Sequence, residues 1–235
     1  ANGKLKTPDT WEVALSAGAD KAEVFTRLMQ QKKLGSSAFL RNMRNMVQSG
    51  VSLELIDEYA KVVNTERELP FRFITAYKHV PAVLHPSLQM MMLRCMMGMD
   101  KLDGHTLLLV DVSGSMYNMA IAAKSEMKRS DAAAALAILA REICTKATIA
   151  TFSNNLVVLG NSRGFDLVGD IHKSQGHGGT NFYSAMVKIN NLATKFDRII
   201  IFTDGEATDT VDFRAGKAAK RNYILNVAAY DNALN

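Results

Sequence analysis

Residues 106–112, TLLLVDV, form an unbroken apolar run that contains a single aspartate and leads into a serine-rich turn. A strand that alternates apolar and polar residues keeps one wet face. A run without alternation demands cover on both faces, and a mostly parallel sheet flanked by helices supplies it. The downstream pattern agrees. It predicts an alanine-rich helix over 130–146 and strands over 147–152 and 156–159. Helices over 165–173 and 182–193, a strand over 198–203 (RIIIFT), a helix over 213–220 and a last strand over 223–230 follow. Residues 104–235 therefore read as an α/β doubly wound, Rossmann-like domain.

Residues 1–103 carry no strand pattern and are punctuated as short helices. Thr7–Pro8 gives a cap followed by proline at the first helical position. Asp20 with Glu23 forms a capping box, and Gly35 is expected to close that helix. Ser36 opens the next and Gly50 ends it. Ser52 opens another through about Val63, Pro70 begins one that Pro81 ends, and Pro86 begins a methionine-rich helix. Short helices joined by short turns pack as antiparallel neighbours, so this half reads as a fragment of an α-solenoid.

Composition excludes little. Hydrophobic residues at 48% and charged residues at 22% suit a globular chain with a real core. The net charge of +5 permits a polyanionic partner without requiring one. Cys95 and Cys144 have no CxxC spacing, which argues against zinc; both read as buried thiols in apolar helical stretches, as expected of a reducing compartment. The most membrane-like run, 90–99, is short and interrupted by Arg94. The expectation is a soluble cytoplasmic protein with no membrane partner.

Three loops of the second half carry chemistry. Asp111-Val112-Ser113-Gly114-Ser115 follows the buried strand, Gly178-Gly179-Thr180 enters a helix, and Thr203-Asp204-Gly205 follows RIIIFT. Ligand sites of open α/β sheets form outside the carboxyl ends of the strands. Asp111, Ser113, Ser115, Thr180 and Asp204 offer only hard oxygen donors, which suit a divalent cation and Mg²⁺ best. Two carboxylates against a double charge leave an open coordination position attractive to an anion, such as a partner's Asp or Glu. His172 and His177 lie near the second loop and read as solvated loop histidines. Trp11, spaced with Leu15, reads as core, as does the methionine cluster.

VDVSGSM, GGTN and FTDGE resemble the metal-ion-dependent adhesion site of von Willebrand factor A domains. That likeness covers the second half nearly to its end and implies that the domain continues beyond Asn235. TPDTWEVALSAG, LGSSAFLRNMRNMVQSGV and ELPFRFITAYKHVP resemble the C-terminal part of the TROVE module. That module, a ring of HEAT-like helical repeats, is joined to a von Willebrand A domain in the Ro autoantigen family. Most of the ring's length is absent here, so the chain resembles a shortened Ro-like member. Asn181 stands where the family usually has Asp after the GGT threonine, which removes one carboxylate near Thr180.

The resemblance implies binding of structured Y-type RNAs and of the single-stranded ends of misfolded RNA. Helical periodicity agrees in part. Phe39, Leu40, Met43, Met46 and Val47 share one face of their helix, and Arg41, Asn42, Arg44, Asn45 and Gln48 the other. Arg72 and His79 share a face with Thr75, with Lys78 beside them, while Lys32 and Lys33 follow an earlier helix. The candidate RNA-binding set is thus Lys32, Lys33, Arg41, Arg44, Arg72, Lys78 and His79. Solvated faces would show the same pattern. A single fragment cannot enclose a hole and leaves apolar end faces, so a homo-oligomeric ring is expected. Two functions stand open: an RNA-binding ribonucleoprotein component, or a metal-dependent protein-interaction module without RNA. A metal-dependent nuclease is disfavoured, because it needs two close metals or a positioned base.

Overall fold

A computed structural model describes residues 9–69, 71–123, 125, 127–206 and 219–228. The chain divides into two compact units, Ala1–Gly98 and Met99–Asn235. The division falls earlier than the sequence suggests because strand pairing begins before the apolar run does, at Leu102.

The first unit holds α1 (Trp11–Ser16), α2 (Lys21–Gln30), α3 (Ser36–Gln48), α4 (Leu53–Val62), α5 (Phe71–Tyr77), a 3₁₀ turn at Ala82–Leu84 and α6 (His85–Met96). Phe25, Phe39, Met43, Met46, Ile56, Phe73, Leu88, Met91 and Met92 fill its core. Trp11 is only half-buried, stacked on Phe25 with ring centroids 6.2 Å apart. The methionines divide by depth: Met91, Met92 and Met96 are buried, whereas Met97 and Met99 are exposed.

Helix boundaries follow local chemistry. Thr10 caps α1, Asp20 accepts the Glu23 amide at 2.9 Å at the start of α2, and Ser52 caps α4. The start signals at Thr7, Pro8 and Pro70 lie outside the described residues. Each of the first three helices leaves through a left-handed residue: Gly18 (φ 85°), Lys32 (φ 53°) and Gly50 (φ 85°). At the end of α3, Gly50 N–H donates to Val47 O and Val51 N–H to Met46 O, the paired bonds of a Schellman motif. Lys32 and Lys33 make the same pair to Met29 O and Leu28 O. Gly35 therefore does not close α2; a lysine takes that place and Gly35 is the N-cap of α3.

The second unit holds β1 (Leu102–Asp111), α7 (Gly114–Asn118), α8 (Arg129–Ile143), β2 (Cys144–Phe152), β3 (Leu156–Val158), α9 (Phe165–Lys173), α10 (Phe182–Asn190), β4 (Phe196–Thr203) and β5 (Ala219–Asn226). The sheet order is β3-β2-β1-β4-β5. β1, β2, β4 and β5 pair in parallel, and β3 runs antiparallel at the edge. Leu107 to Val110 have no exposed surface, as the unbroken run requires. Leu107 and Leu109 pack with Phe182, Ala185, Met186 and Ile189 of α10. Cys144 opens β2 rather than ending a helix and is partly exposed, while Cys95 is buried; both thiols are free. The last strand is Ala219–Asn226, earlier than 223–230, and the expected helix lies outside the described residues over 213–218. Among the described residues no helix is long and apolar enough to cross a membrane.

The shared exit geometry makes substitutions at its left-handed residues opposite in sign. Lys32→Gly is expected to raise unfolding free energy by about 0.5–1 kcal/mol, and Gly50→Ala to lower it by about 1 kcal/mol. Urea denaturation checks both; a loss in Lys32→Gly would show that the lysine side chain stabilises the turn.

Candidate functional site

β1 and β4 lie side by side, and their connections run to opposite sides of the sheet, toward β2 and toward β5. A crevice forms outside the carboxyl ends at such a point. Asp111 closes β1, and Asp204 follows Thr203 at the end of β4. Both acids have no exposed surface, and Ser113 and Thr180 are almost as deeply buried.

Hydrogen bonds tie the three expected loops together. Ser113 N–H donates to Asp111 Oδ1 at 2.9 Å, and the Thr203 hydroxyl donates to Asp111 Oδ2 at 2.7 Å. Gly114 N–H donates to Gly178 O at 2.9 Å. Burial pushes the Asp111 carboxyl up to about 6, against the stabilising pull of the Ser113 and Thr203 bonds. Ser113 Oγ and Ser115 Oγ lie 3.3 Å apart. Neighbouring oxygens around an octahedral Mg²⁺, each about 2.1 Å from the ion, stand roughly 3 Å apart. Among the described residues no cluster of three or more His, Cys, Asp or Glu side chains suits a metal. An ion in this crevice would therefore rest on hydroxyl oxygens as much as on carboxylates, and the donor set fits a hard divalent cation.

Three residues of this site carry no obvious mark in the sequence. Ser153, fully buried after β2, donates through Oγ to Gly179 O at 2.9 Å and accepts from Gly178 N–H at 3.0 Å. Asn154 Oδ1 accepts from Gly179 N–H at 2.9 Å, and its amide sits so close to Gly178 that a Cβ there would collide with it. Arg129, the first residue of α8, is 3% exposed and donates through Nη1 to Asp204 Oδ2 at 2.8 Å and to Glu206 Oε1 at 3.0 Å. The site thus contains an arginine and a further acid in addition to its two expected carboxylates.

His172 is half-buried and His177 is exposed, and both rings contact Tyr117. His177 stacks on Tyr117 with centroids 3.4 Å apart, and its Nδ1 donates to Val112 O at 3.0 Å. His172 meets the edge of the same tyrosine at 5.1 Å and approaches Asp131 at 3.6 Å.

In the first unit, α3 and α5 flank a cleft of about 460 Å³. It gathers Arg41, Arg44, Arg72 and His79 over a floor containing Leu40 and Val80. Arg72 is anchored, donating to Ser37 Oγ at 2.9 Å and pairing with Glu68 at 3.3 Å. Buried Glu68 also accepts from the Ser36 and Ser37 hydroxyls at 2.7 and 2.6 Å. Arg41 and Arg44 are exposed and have no ion-pair partner among the described residues. Lys78 lies outside this lining. Lys32 and Lys33 belong to a separate hollow of about 300 Å³ with Tyr59 and Asn64. Lys33 also pairs with Asp9 at 3.1 Å, and Arg27 and Lys33 together hold the Asp9 carboxyl at about 2. Asn42 departs from the polar face: it is buried, donating to Ala38 O at 2.9 Å and accepting from Asn45 at 3.2 Å.

The sheet, its switch point and the three oxygen-rich loops define a von Willebrand factor A-type domain joined to a helical module. Residues 2–92 match the TROVE domain and residues 105–221 the Ro60 vWA domain. The chain belongs to the Ro family. Telomerase protein component 1 of Mus musculus is 37% identical over 83 residues, and that of Rattus norvegicus 38% over 80. These matches cover 33% and 32% of this chain but 3% of each relative. The crystal structure of the Deinococcus radiodurans RO (RSR) protein shares the fold at a TM-score of 0.61 and 21% identity. That match covers 87% of this chain and 48% of the other, so the chain spans about half the length of that relative.

Ser153→Ala removes the bonds to Gly179 O and from the Gly178 amide, which keeps Gly176 O as an acceptor at 3.1 Å. It is expected to cost about 1 kcal/mol in urea unfolding. An unchanged stability would mean that the second loop holds its shape without Ser153.

Proposed function

We propose that this chain is a Ro-like ribonucleoprotein component whose helical unit binds structured non-coding RNA of the Y type or the ends of misfolded RNA. The observation that carries this reading is the cleft between α3 and α5, where Arg41 and Arg44 stand exposed on the rim without a protein counter-ion among the described residues. Guanidinium groups in that state recognise phosphate, and an apolar floor accepts the face of an unstacked base. Arg72, held in place by Glu68 and Ser37, supports that rim, while Lys78 and His79 extend it along the exposed side of the helix and the turn after it. Lys32 and Lys33 form a second basic point on the same unit.

In the second unit Asp111, Ser113, Ser115, Thr180 and Asp204 would hold Mg²⁺. The bound ion would supply an electrophilic coordination position for an anionic oxygen, such as a partner carboxylate. Asp111, Asp204 and Glu206 against Arg129 carry two negative charges, which a double positive charge would neutralise, leaving no excess negative charge to repel a partner carboxylate. That balance supports a second reading, a metal-dependent protein-interaction module that works without RNA. Exposed Val62, Leu69, Val83 and Met97 on the helical unit suit burial against further copies in a homo-oligomeric ring. The two free thiols suit a cytoplasmic setting.

Filter binding of a labelled structured RNA with a single-stranded 3′ end, across a salt series, tests the main reading. Affinity should fall steeply with salt, and Arg41→Ala with Arg44→Ala should weaken binding about tenfold or more and flatten the salt slope by about one to two. Asp111→Ala should bind RNA as the parent does. No binding at low salt would overturn the RNA reading and leave the protein-interaction one. Light scattering is expected to find an oligomer; a clean monomer at micromolar concentration would overturn the ring.

A further inference from the structure

Arg129 belongs to none of the donor positions expected of the metal loops, yet it is buried against one of them. Its side chain is 3% exposed and its Nη1 lies 2.8 Å from Asp204 Oδ2. The other oxygen of Asp204 accepts the Glu206 amide at 3.1 Å. Both oxygens of this buried acid are therefore bonded, one of them to a full positive charge. A buried carboxylate needs such a partner, since an uncompensated charge in this environment is strongly destabilising. A divalent cation held by Asp111, Ser113, Ser115, Thr180 and Asp204 would offer Asp204 the same compensation with twice the charge. The arginine and the ion would then be two cations drawn to one acid, and their mutual repulsion at this range is large.

From this geometry we infer that Arg129 competes with the divalent cation for Asp204 and so sets the metal affinity of the site. The inference rests on the metal reading above. Arg129 compensates Asp204 when no ion is bound, which lets the three loops assemble without metal. Entry of the ion draws Asp204 away from the guanidinium. Glu206, half-exposed and 3.0 Å from the same Nη1, is the acid that retains Arg129 after the exchange. The site accordingly binds Mg²⁺ reversibly and more weakly than its buried acids alone would dictate.

The experiment titrates Mg²⁺ into the full chain by calorimetry and records thermal unfolding with and without the ion, for the parent and for Arg129→Gln. The expected result is a variant that melts lower without metal and binds Mg²⁺ about tenfold tighter or more, with a larger metal-induced rise in Tm. Tighter binding by the variant supports the inference even if the parent binds too weakly to measure. If the parent binds Mg²⁺ and Arg129→Gln binds it equally or less tightly, Arg129 is a structural counter-ion only; the inference falls and the metal reading stands. If neither protein binds Mg²⁺, both readings fall. Should Arg129→Gln not fold, the parent decides the matter by NMR, with the Arg129 guanidinium signal assigned through its loss in Arg129→Lys. A Mg²⁺-dependent shift of that signal, saturating with the calorimetric isotherm, supports competition; an Arg129 signal that ignores Mg²⁺ overturns it.

Discussion

A carboxylate with no access to water stands at the end of the central strand, and the architecture of the second unit is arranged to satisfy it. Asp111 is carried into the interior because β1 is buried on both faces up to its last residue. Its two oxygens then recruit the rest: the Ser113 amide from its own loop and the Thr203 hydroxyl from β4. The second loop enters through backbone contacts with Gly114 and through Ser153. The oxygen-rich crevice is thus a consequence of placing an acid where a doubly covered strand runs out, and it is held by partners from three separate connections.

Much of this was legible in the chain because the relevant signals are local. An unbroken apolar run specifies two covered faces, and a cap residue before an apolar period specifies a helix start. The donor residues sit at strand ends, where the fold class alone says that ligands collect. Arg129, Ser153 and Asn154 were not legible, because their importance comes from partners far along the chain: Asp204 for the arginine, the 178–179 glycines for the other two. Nothing in the neighbourhood of a residue announces a bond formed across the sheet. The same limit explains Arg198, an apparently exposed charge opening RIIIFT that is in fact buried and bonded to Asp103 O and to Thr106.

The helical unit shows the opposite error, a local rule followed too literally. Gly35 looks like a helix stop, yet the chain turns earlier, at Lys32, because packing fixes the length of α2 and a lysine can adopt the left-handed conformation at modest cost. Asn42 sits on the polar side by periodicity but is drawn inside, where Ala38 O and Asn45 satisfy its amide. Among the described residues Arg41 and Arg44 meet no such partner, which separates them from Asn42 and Asn45. Periodicity assigns faces, while the hydrogen-bond partners decide which polar residues are structural.

The Tyr117–His177 stack bears on which ions the crevice would admit, if it holds one as proposed. Late transition metals outcompete magnesium wherever a nitrogen or sulfur donor is within reach. His177 is the imidazole nearest the loops in sequence, and its Nδ1 is committed to the Val112 carbonyl while its ring lies against the tyrosine face. A ring held in this way would offer a metal its Nε2 and not its Nδ1, so the same stack that fixes the histidine would decide whether zinc or copper finds a nitrogen donor beside the hydroxyl-rich loops.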